Sequence, residues 1–490
     1  MPTTQPQTAL DRFARSLAVS DPLAALRGGL IGDGVPVPGP FGDHPLLYAD
    51  YVASGRALRQ VETFVMEEVL PYYANSHTEA SFCGSAMTRM RRGARAIIAQ
   101  HTGATSDHAV IFAGAGATAG LNRLVHLLGI PAAVQRGERP VVFIGPYEHH
   151  SNILPWRESG AEVIEIDEAG SGGPDLEHLA DALRATADRG LRIGAFSAAS
   201  NVTGIITDTD AVTRLLRSHN VLSVWDYAGG GPYLPIDMRG GTDCAKDAVV
   251  LSAHKFLGGP GASGVLILRR AAVDRVTPVL PGGGTVRFVS PTSHDYATDI
   301  IPREESGTPN VIGDIRVALA FLVKAAIGQA TMDARHDQLN TRALAVWQRN
   351  PQLQILGLDR GARLPVFSFR VRDPQGNGYI HQQLFTRMLS DCYGIQARGG
   401  CACAGPYAHR LLGIGSDLSD TLRRSILSGN EGDKPGWTRL NFSVLLDDTK
   451  ADRLIQAVDE LARNPCQKAA LYDVDQASAR YSARPDASAA

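Results

Sequence analysis

Seven short runs of β-branched and apolar residues constrain this chain more than any other feature: His108 to Phe112, Val141 to Ile144, Glu162 to Ile166, Leu191 to Ser197, Val221 to Trp225, Ala248 to Ser252 and Val265 to Leu268. Runs so short and so apolar read as strands buried on both faces. Between them, Thr118 to Leu128, Asp175 to Asp188 and Asp208 to His219 have the apolar spacing of helices that cover a core, and the last two begin on an acid. Strand and helix taking turns imply an α/β fold whose large, mostly parallel seven-stranded sheet is covered on both faces.

The pattern changes after Pro309. A long apolar helix, Val311 to Ile327, leads to strand candidates at Pro365 to Val371 and Thr438 to Val444, which we read as a smaller α+β C-terminal domain. The expected organisation is an N-terminal extension over residues 1–44 and a large domain over 45–310, whose first part packs with the small domain. The small domain follows over 311–464, and a disordered tail rich in Ala, Ser and Asp over 465–490.

Composition narrows the function classes. With 44% hydrophobic and 20% charged residues and a formal net charge of −2, the chain has neither the basic excess of a nucleic-acid binder nor an acidic tail. No apolar run approaches the ~18 residues of a membrane span, and the first ten residues lack the apolar core of a signal peptide. The cysteines, Cys83, Cys244, Cys392, Cys401, Cys403 and Cys466, are scattered apart from one close pair, which favours a reducing compartment, and we expect a cytoplasmic protein.

A parallel sheet places its ligands beyond the carboxyl ends of its strands, so the loops there are where chemistry is sought. The first run leads into Ala113-Gly114-Ala115-Gly116-Ala117-Thr118, small residues opening a helix, a pattern suited to an anion but equally to plain packing. The second leads into Tyr147-Glu148-His149-His150, where histidines are ligands, stacking groups or surface. The fifth ends on Asp226, a buried carboxylate or an ordinary turn cap. The sixth ends in Ser252-Ala253-His254-Lys255, followed by a glycine-rich loop. A lysine between an apolar strand and such a loop is poorly hydrated, which lowers its pKa and makes it an imine-forming nucleophile.

Taken in order, these segments resemble the class V aminotransferases, a family of fold type I pyridoxal phosphate (PLP) enzymes, and most closely their cysteine desulfurase and selenocysteine lyase branch. The resemblance spans roughly Tyr48 to Val444. It implies that Lys255 carries PLP as a Schiff base, with Ser252 and His254 holding the phosphate and Asp226 paired with the pyridine nitrogen. Glu148 to Asn152 matches Glu-His-His-x-Asn, so His149 would stack on the ring and assist proton transfer. Gly116-Ala117-Thr118 stands where the family has Gly-Thr-Thr, leaving Ala117 and Thr118 with one hydroxyl for the phosphate. Ser200-Asn201-Val202-Thr203-Gly204 matches Ser-Asn-x-x-Gly, so Asn201 would touch cofactor or substrate. Gly307-Thr308-Pro309-Asn310 matches a motif whose threonine reaches the phosphate in the neighbouring subunit, implying a homodimer with shared sites.

Arg439, in Trp437-Thr438-Arg439-Leu440-Asn441, matches the arginine that grips the amino acid's carboxylate, a task suited to a planar guanidinium. Four residues separate Arg398 from Cys403 and two separate Cys403 from Pro406, the desulfurase spacing, which implies Arg398 as a substrate contact and Cys403 as the nucleophile. Cys401 falls where the family seldom has cysteine. A metal or structural thiol site is the alternative for this pair, but Cys-x-Cys without clustered ligands seldom binds zinc, so no metal is expected. One departure concerns Asp226-Tyr227-Ala228-Gly229, because desulfurases have Asp-Gly-Ala-Gln and Gly229 offers no side chain to the cofactor.

The implied activity is removal of sulfur from L-cysteine, giving alanine and a Cys403 persulfide, with a possible sulfur-acceptor protein as partner. Alternatives within the family are a C–S lyase acting on a cysteine conjugate or sulfoxide, and an epimerase or aminotransferase of secondary metabolism. A non-catalytic scaffold is disfavoured by the joint presence of Lys255, Asp226, His149, Asn201 and Arg439.

Overall fold

The computed structural model describes residues 8–485 except His77 and Asn377. All seven anticipated strands lie in one sheet: β1 (His108–Gly114), β2 (Val141–Ile144), β3 (Glu162–Glu165), β4 (Arg192–Ser197), β5 (Leu222–Asp226), β6 (Ala248–Ser252) and β7 (Gly264–Arg269). Their order is β1-β7-β6-β5-β4-β2-β3, and only β7 runs against its neighbours β6 and β1. Residues at alternating positions enter two cores: Val141, Phe143, Trp225, Val249 and Ile267 on one face, Val142, Ile144, Val224, Val250 and Leu266 on the other. Burial on both faces is why these runs carry no polar alternation.

The helices begin where the chain supplies caps. Asp175 accepts hydrogen bonds from the backbone of Glu177 and His178 at the head of Leu176–Ala185, and Asp208 accepts one from Ala211 at the head of Thr209–Ser218. Asn310, last of the Gly-Thr-Pro-Asn run, caps the long helix Val311–Ile327 through the Gly313 N–H. Each satisfies a donor the first helical turn would leave unpaired.

A second sheet comprises β8 (Leu353–Ile355), β9 (Val366–Arg372), β10 (Tyr379–Ile380), β11 (Arg398–Gly400) and β12 (Trp437–Asn441), in the order β8-β9-β12-β11 with β10 beside β9. It packs with the helix Asp448–Arg463 around Trp347, Phe367, Phe369 and Phe442. Leu47–Tyr48 forms a short parallel pairing with Ile395–Gln396, so the start of the anticipated large domain joins the small one.

One expectation at the termini needs correction. The N-terminal extension folds onto the body: Leu10, Phe13, Leu17 and Leu26, in or just after the helices Ala9–Ser16 and Pro22–Gly28, pack with Val311, Ile315, Leu319 and Val323. The tail is not disordered over 465–485. Pro465–Ala469 is helical and Tyr472–Asp475 pairs with Arg480–Ala483 in a hairpin that adds Tyr472 to the small core. Polar composition alone misses these because a few anchoring apolar side chains decide whether a segment docks. Residues 486–490 of that tail lie outside the described residues.

Candidate active site

One cavity of about 510 Å³ opens at the carboxyl ends of β1, β5 and β6 and reaches the small sheet; its walls include Ala117, Thr118, His149, Asn201, Asp226, Ser252, His254, Lys255, Arg398, Cys403 and Arg439. Every site residue singled out in the sequence lies there except Thr308, which is exposed and outside this cavity.

Lys255 ends a short 3-10 turn that follows β6. Burial pulls its pKa down to about 8; Asp226 opposes that effect, while the cations of Arg439 and Arg398 add to it. Asp226 terminates β5, where it is buried and accepts a 2.7 Å hydrogen bond from the Ala228 N–H. Burial raises its pKa, and Ala228 and Lys255 only partly offset this. A buried carboxylate so placed is stabilised by any cation brought against it.

The turn after β1 holds Gly114 at φ +85° and Gly116 at φ +61°. A side chain at Gly116 would lie 2.9 Å from Ser252 Oγ, so a bare backbone is needed there. Ser252 Oγ accepts a 2.9 Å bond from the Ala117 N–H, tying the turn to β6, and the Thr118 and Ser151 hydroxyls are 2.7 Å apart. With His254 on the wall, this makes a cradle of hydroxyls and N–H groups at the head of the helix Gly116–Leu127.

His149 Nδ1 accepts from the Ser151 N–H at 3.1 Å, which leaves the proton of the neutral ring on Nε2. Burial, with Lys255 and His150 nearby, pulls its pKa down to about 4, so the ring is neutral at physiological pH. Its loop is pinned by Glu148, a buried acid whose pKa burial raises to about 7 and whose oxygens accept from the Ser197 N–H and hydroxyl and from Asn152 Nδ2.

The Cys403 loop is held from three sides. The Asn201 amide donates to the Ala402 carbonyl at 2.9 Å, the His150 N–H donates to the Cys403 carbonyl at 2.8 Å, and the Gly405 N–H donates to His150 Nε2 at 2.9 Å. Ala402 and Cys403 are both left-handed, at φ +54° and +56°, which is unusual for residues with a Cβ and needs such support. Cys403 is exposed on the cavity wall, whereas Cys401 packs partly buried against the core of Tyr147, Val202 and Tyr407. Among the described residues, no group of three or more His, Cys, Asp or Glu gathers as a metal would require.

One residue in contact with the site was not singled out in the sequence. Asp50 lies behind the two arginines, with Oδ2 accepting from Arg398 Nε at 2.9 Å and Oδ1 from Arg439 Nη2 at 2.8 Å. Its partners are 348 and 389 residues away in sequence, so no local pattern could reveal it.

The family model "Aminotransferase class-V" matches residues 47–433. The chain belongs to the aminotransferase class-V family. It is 30% identical over 423 residues to a probable cysteine desulfurase of Vibrio cholerae, covering 85% of this chain and 93% of that one. It is 28% identical to a probable cysteine desulfurase of Streptomyces coelicolor, covering 75% and 85% of the two chains. The apo structure of a cysteine desulfurase from Thermococcus onnurineus superposes with a TM-score of 0.69 at 22% identity, covering 85% of this chain and 95% of that one, and so shares the fold.

Class-V enzymes depend on PLP, and so does this one. The cavity fits that group on its own evidence. Asn201 Oδ1 is buried without a hydrogen-bond partner, Asp226 is a buried carboxylate short of a cation, and the cradle at Gly116 has no room for a side chain. Among the described residues no helix is long and apolar enough to cross a membrane.

Proposed function

We propose that this class-V enzyme is a cysteine desulfurase that removes sulfur from L-cysteine. The observation carrying this reading is a thiol, Cys403, exposed on the wall of the same cavity as Lys255, Asp226 and the arginine pair. The names of the relatives support it.

Lys255 is the residue that would hold the cofactor, with Asp226 at the ring nitrogen, His149 over the ring, and Ser252, His254, Ala117 and Thr118 around the phosphate. When bound, the cofactor supplies a sink for the electron pair left at the substrate's α-carbon. Arg439 grips the substrate carboxylate and orients the α C–H bond. The Lys255 amine, whose neutral form burial favours, takes the α-proton. The Cys403 thiolate attacks the substrate sulfur: an S–S bond forms, the C–S bond breaks, and its electron pair stays on carbon, which takes up a proton. The products are alanine and a Cys403 persulfide, with no external oxidant or reductant. Exposure of Cys403 suits transfer of that sulfur to an acceptor protein.

Thr308, exposed and outside its own cavity, suits a homodimer in which it completes the partner's phosphate cradle. Six free cysteines suit the reducing cytoplasm. Cys403→Ala is expected to abolish alanine release and the sulfur-bearing Cys403 peptide in mass spectra while the visible cofactor band persists; unaltered alanine release would overturn the reading.

A second reading is favoured at Gly229. A Cβ there would sit in ordinary contact with the Ala199 carbonyl and Asn201 at 3.6 Å, so a side chain is not excluded and its lack leaves the cavity wall bare beside Asn201, which suits a C–S lyase acting on a cysteine conjugate. Pyruvate in place of alanine among the products would mark it.

A further inference from the structure

Arg398 and Arg439 are direct cross-strand partners in the antiparallel pairing of β11 with β12. Like charges directly opposite on one sheet repel. Between them stands the Asp50 carboxylate, one oxygen to each guanidinium at 2.9 and 2.8 Å. Asp50 and Arg439 are buried, at 7% and 4% exposure, whereas the Arg398 side chain is half exposed to the cavity. The Asp50 carboxylate is not on the cavity wall, although both arginines and the neighbouring Val52 and Ala53 are.

This geometry divides the donors. Asp50 occupies Arg398 Nε and Arg439 Nη2, and the Asn201 carbonyl accepts from Arg439 Nη1 at 3.1 Å. The terminal nitrogens of Arg398 find no acceptor among the described residues and remain for substrate. Charge is divided too: two guanidiniums and one carboxylate leave a single net positive charge.

The main chain around Asp50 is itself held. The Tyr48 hydroxyl donates to the Asp50 carbonyl at 3.1 Å, the Asn441 N–H donates to the Ala49 carbonyl at 2.8 Å, and the Val52 N–H donates to Asn441 Oδ1 at 3.0 Å. The main chain that carries Asp50 is therefore fixed, and its carboxylate is held by the two arginines.

We propose that Asp50 is a positioning and specificity residue that aims the Arg398–Arg439 pair and halves its charge, so that the clamp accepts an amino acid with one carboxylate and disfavours one with a second acidic group. This deepens the desulfurase reading and rests on it for the identity of the substrate as an amino acid. A second anion on the substrate meets a clamp whose one net charge is already matched.

The test is calorimetric binding of L-alanine and L-aspartate to the holoenzyme, which reports on the clamp whether or not L-cysteine is turned over. Asp50→Asn is expected to improve L-aspartate binding relative to L-alanine at least tenfold, and to shift kcat/KM from L-cysteine toward L-cysteine sulfinate, mainly through KM. Arg398→Gln should move the binding ratio the other way, and the double variant should return it to the parent value. Parallel weakening of both ligands in Asp50→Asn, with the ratio unchanged, would reduce Asp50 to a structural prop and overturn the proposal. If Asp50→Asn does not fold, an unmoved ratio in Arg398→Gln overturns it equally. Failure of the desulfurase reading would show separately, as absent alanine release by the parent enzyme.

Discussion

Lys255 shows how a single environment changes a residue's chemistry. An ordinary lysine with a pKa near 10.5 has about one amine in three thousand neutral at pH 7, whereas at about 8 roughly one in ten is. Burial is the chief cause, so the sign is set: the protonated form is disfavoured in the fold. The unfolded chain binds this proton up to about 10.5 and the folded chain only to about 8, so the cost to stability is present in full below pH 8 and is relieved as pH rises toward 10.5. The rate at which cofactor-free enzyme regains its visible band on adding PLP should rise about tenfold per pH unit and level off near pH 8. A plateau only above pH 10 would refute the shift. The buried place of Lys255 at the end of β6 was legible because strand, lysine and glycine-rich loop are adjacent in sequence. Asp50 was not, because its meaning lies in two arginines hundreds of residues downstream.

Among the elements, the strap from Leu47 to Arg56 carries the most weight for its size. It begins beside Ile395 in the small domain and ends against the Lys255 turn, where the Gly55 N–H donates to the His254 carbonyl at 2.9 Å and the Gly258 N–H to the Arg56 carbonyl at 2.8 Å. A Cβ on Gly55 would stand 1.9 Å from the Phe256 carbonyl oxygen, with backbone on both sides. Gly55→Ala must therefore displace either the strap or the turn, at a cost of about 1–3 kcal/mol. Urea unfolding should show that loss, accompanied by slower cofactor uptake at Lys255; stability within about 0.5 kcal/mol of the parent, the ordinary spread of surface substitutions, would mean that strap and turn are not in tight contact. The seven strands and their helices were readable as a sheet because each run is apolar and capped locally. The strap was not, since two paired residues have no periodicity to detect.

At the scale of the whole molecule, two cores meet across the cavity, and the N-terminal helices and C-terminal hairpin close onto them. Phe13 is 4% exposed and lies 5.2 Å from the Phe64 ring, so Phe13→Ala should destabilise the fold by about 3–5 kcal/mol in urea titration. The proposed dimer completed by Thr308 is tested separately: sedimentation of the parent should give a dimer, and Thr308→Ala should leave that unchanged but weaken cofactor affinity about tenfold, the worth of one hydrogen bond to a charged group. Unchanged affinity would remove Thr308 from the site.

By itself, the sequence determined the α/β alternation and the strand-end loops, with Lys255 and Asp226, that line the cavity, because each depends on neighbours within a few residues. Only the tertiary structure decided that Asp50 sits between Arg398 and Arg439, that Cys403 rather than Cys401 faces the cavity, and that the segments over 8–28 and 465–485 fold onto the body. Those facts depend on which distant surfaces meet, and pairing across hundreds of residues leaves no periodic trace along the chain.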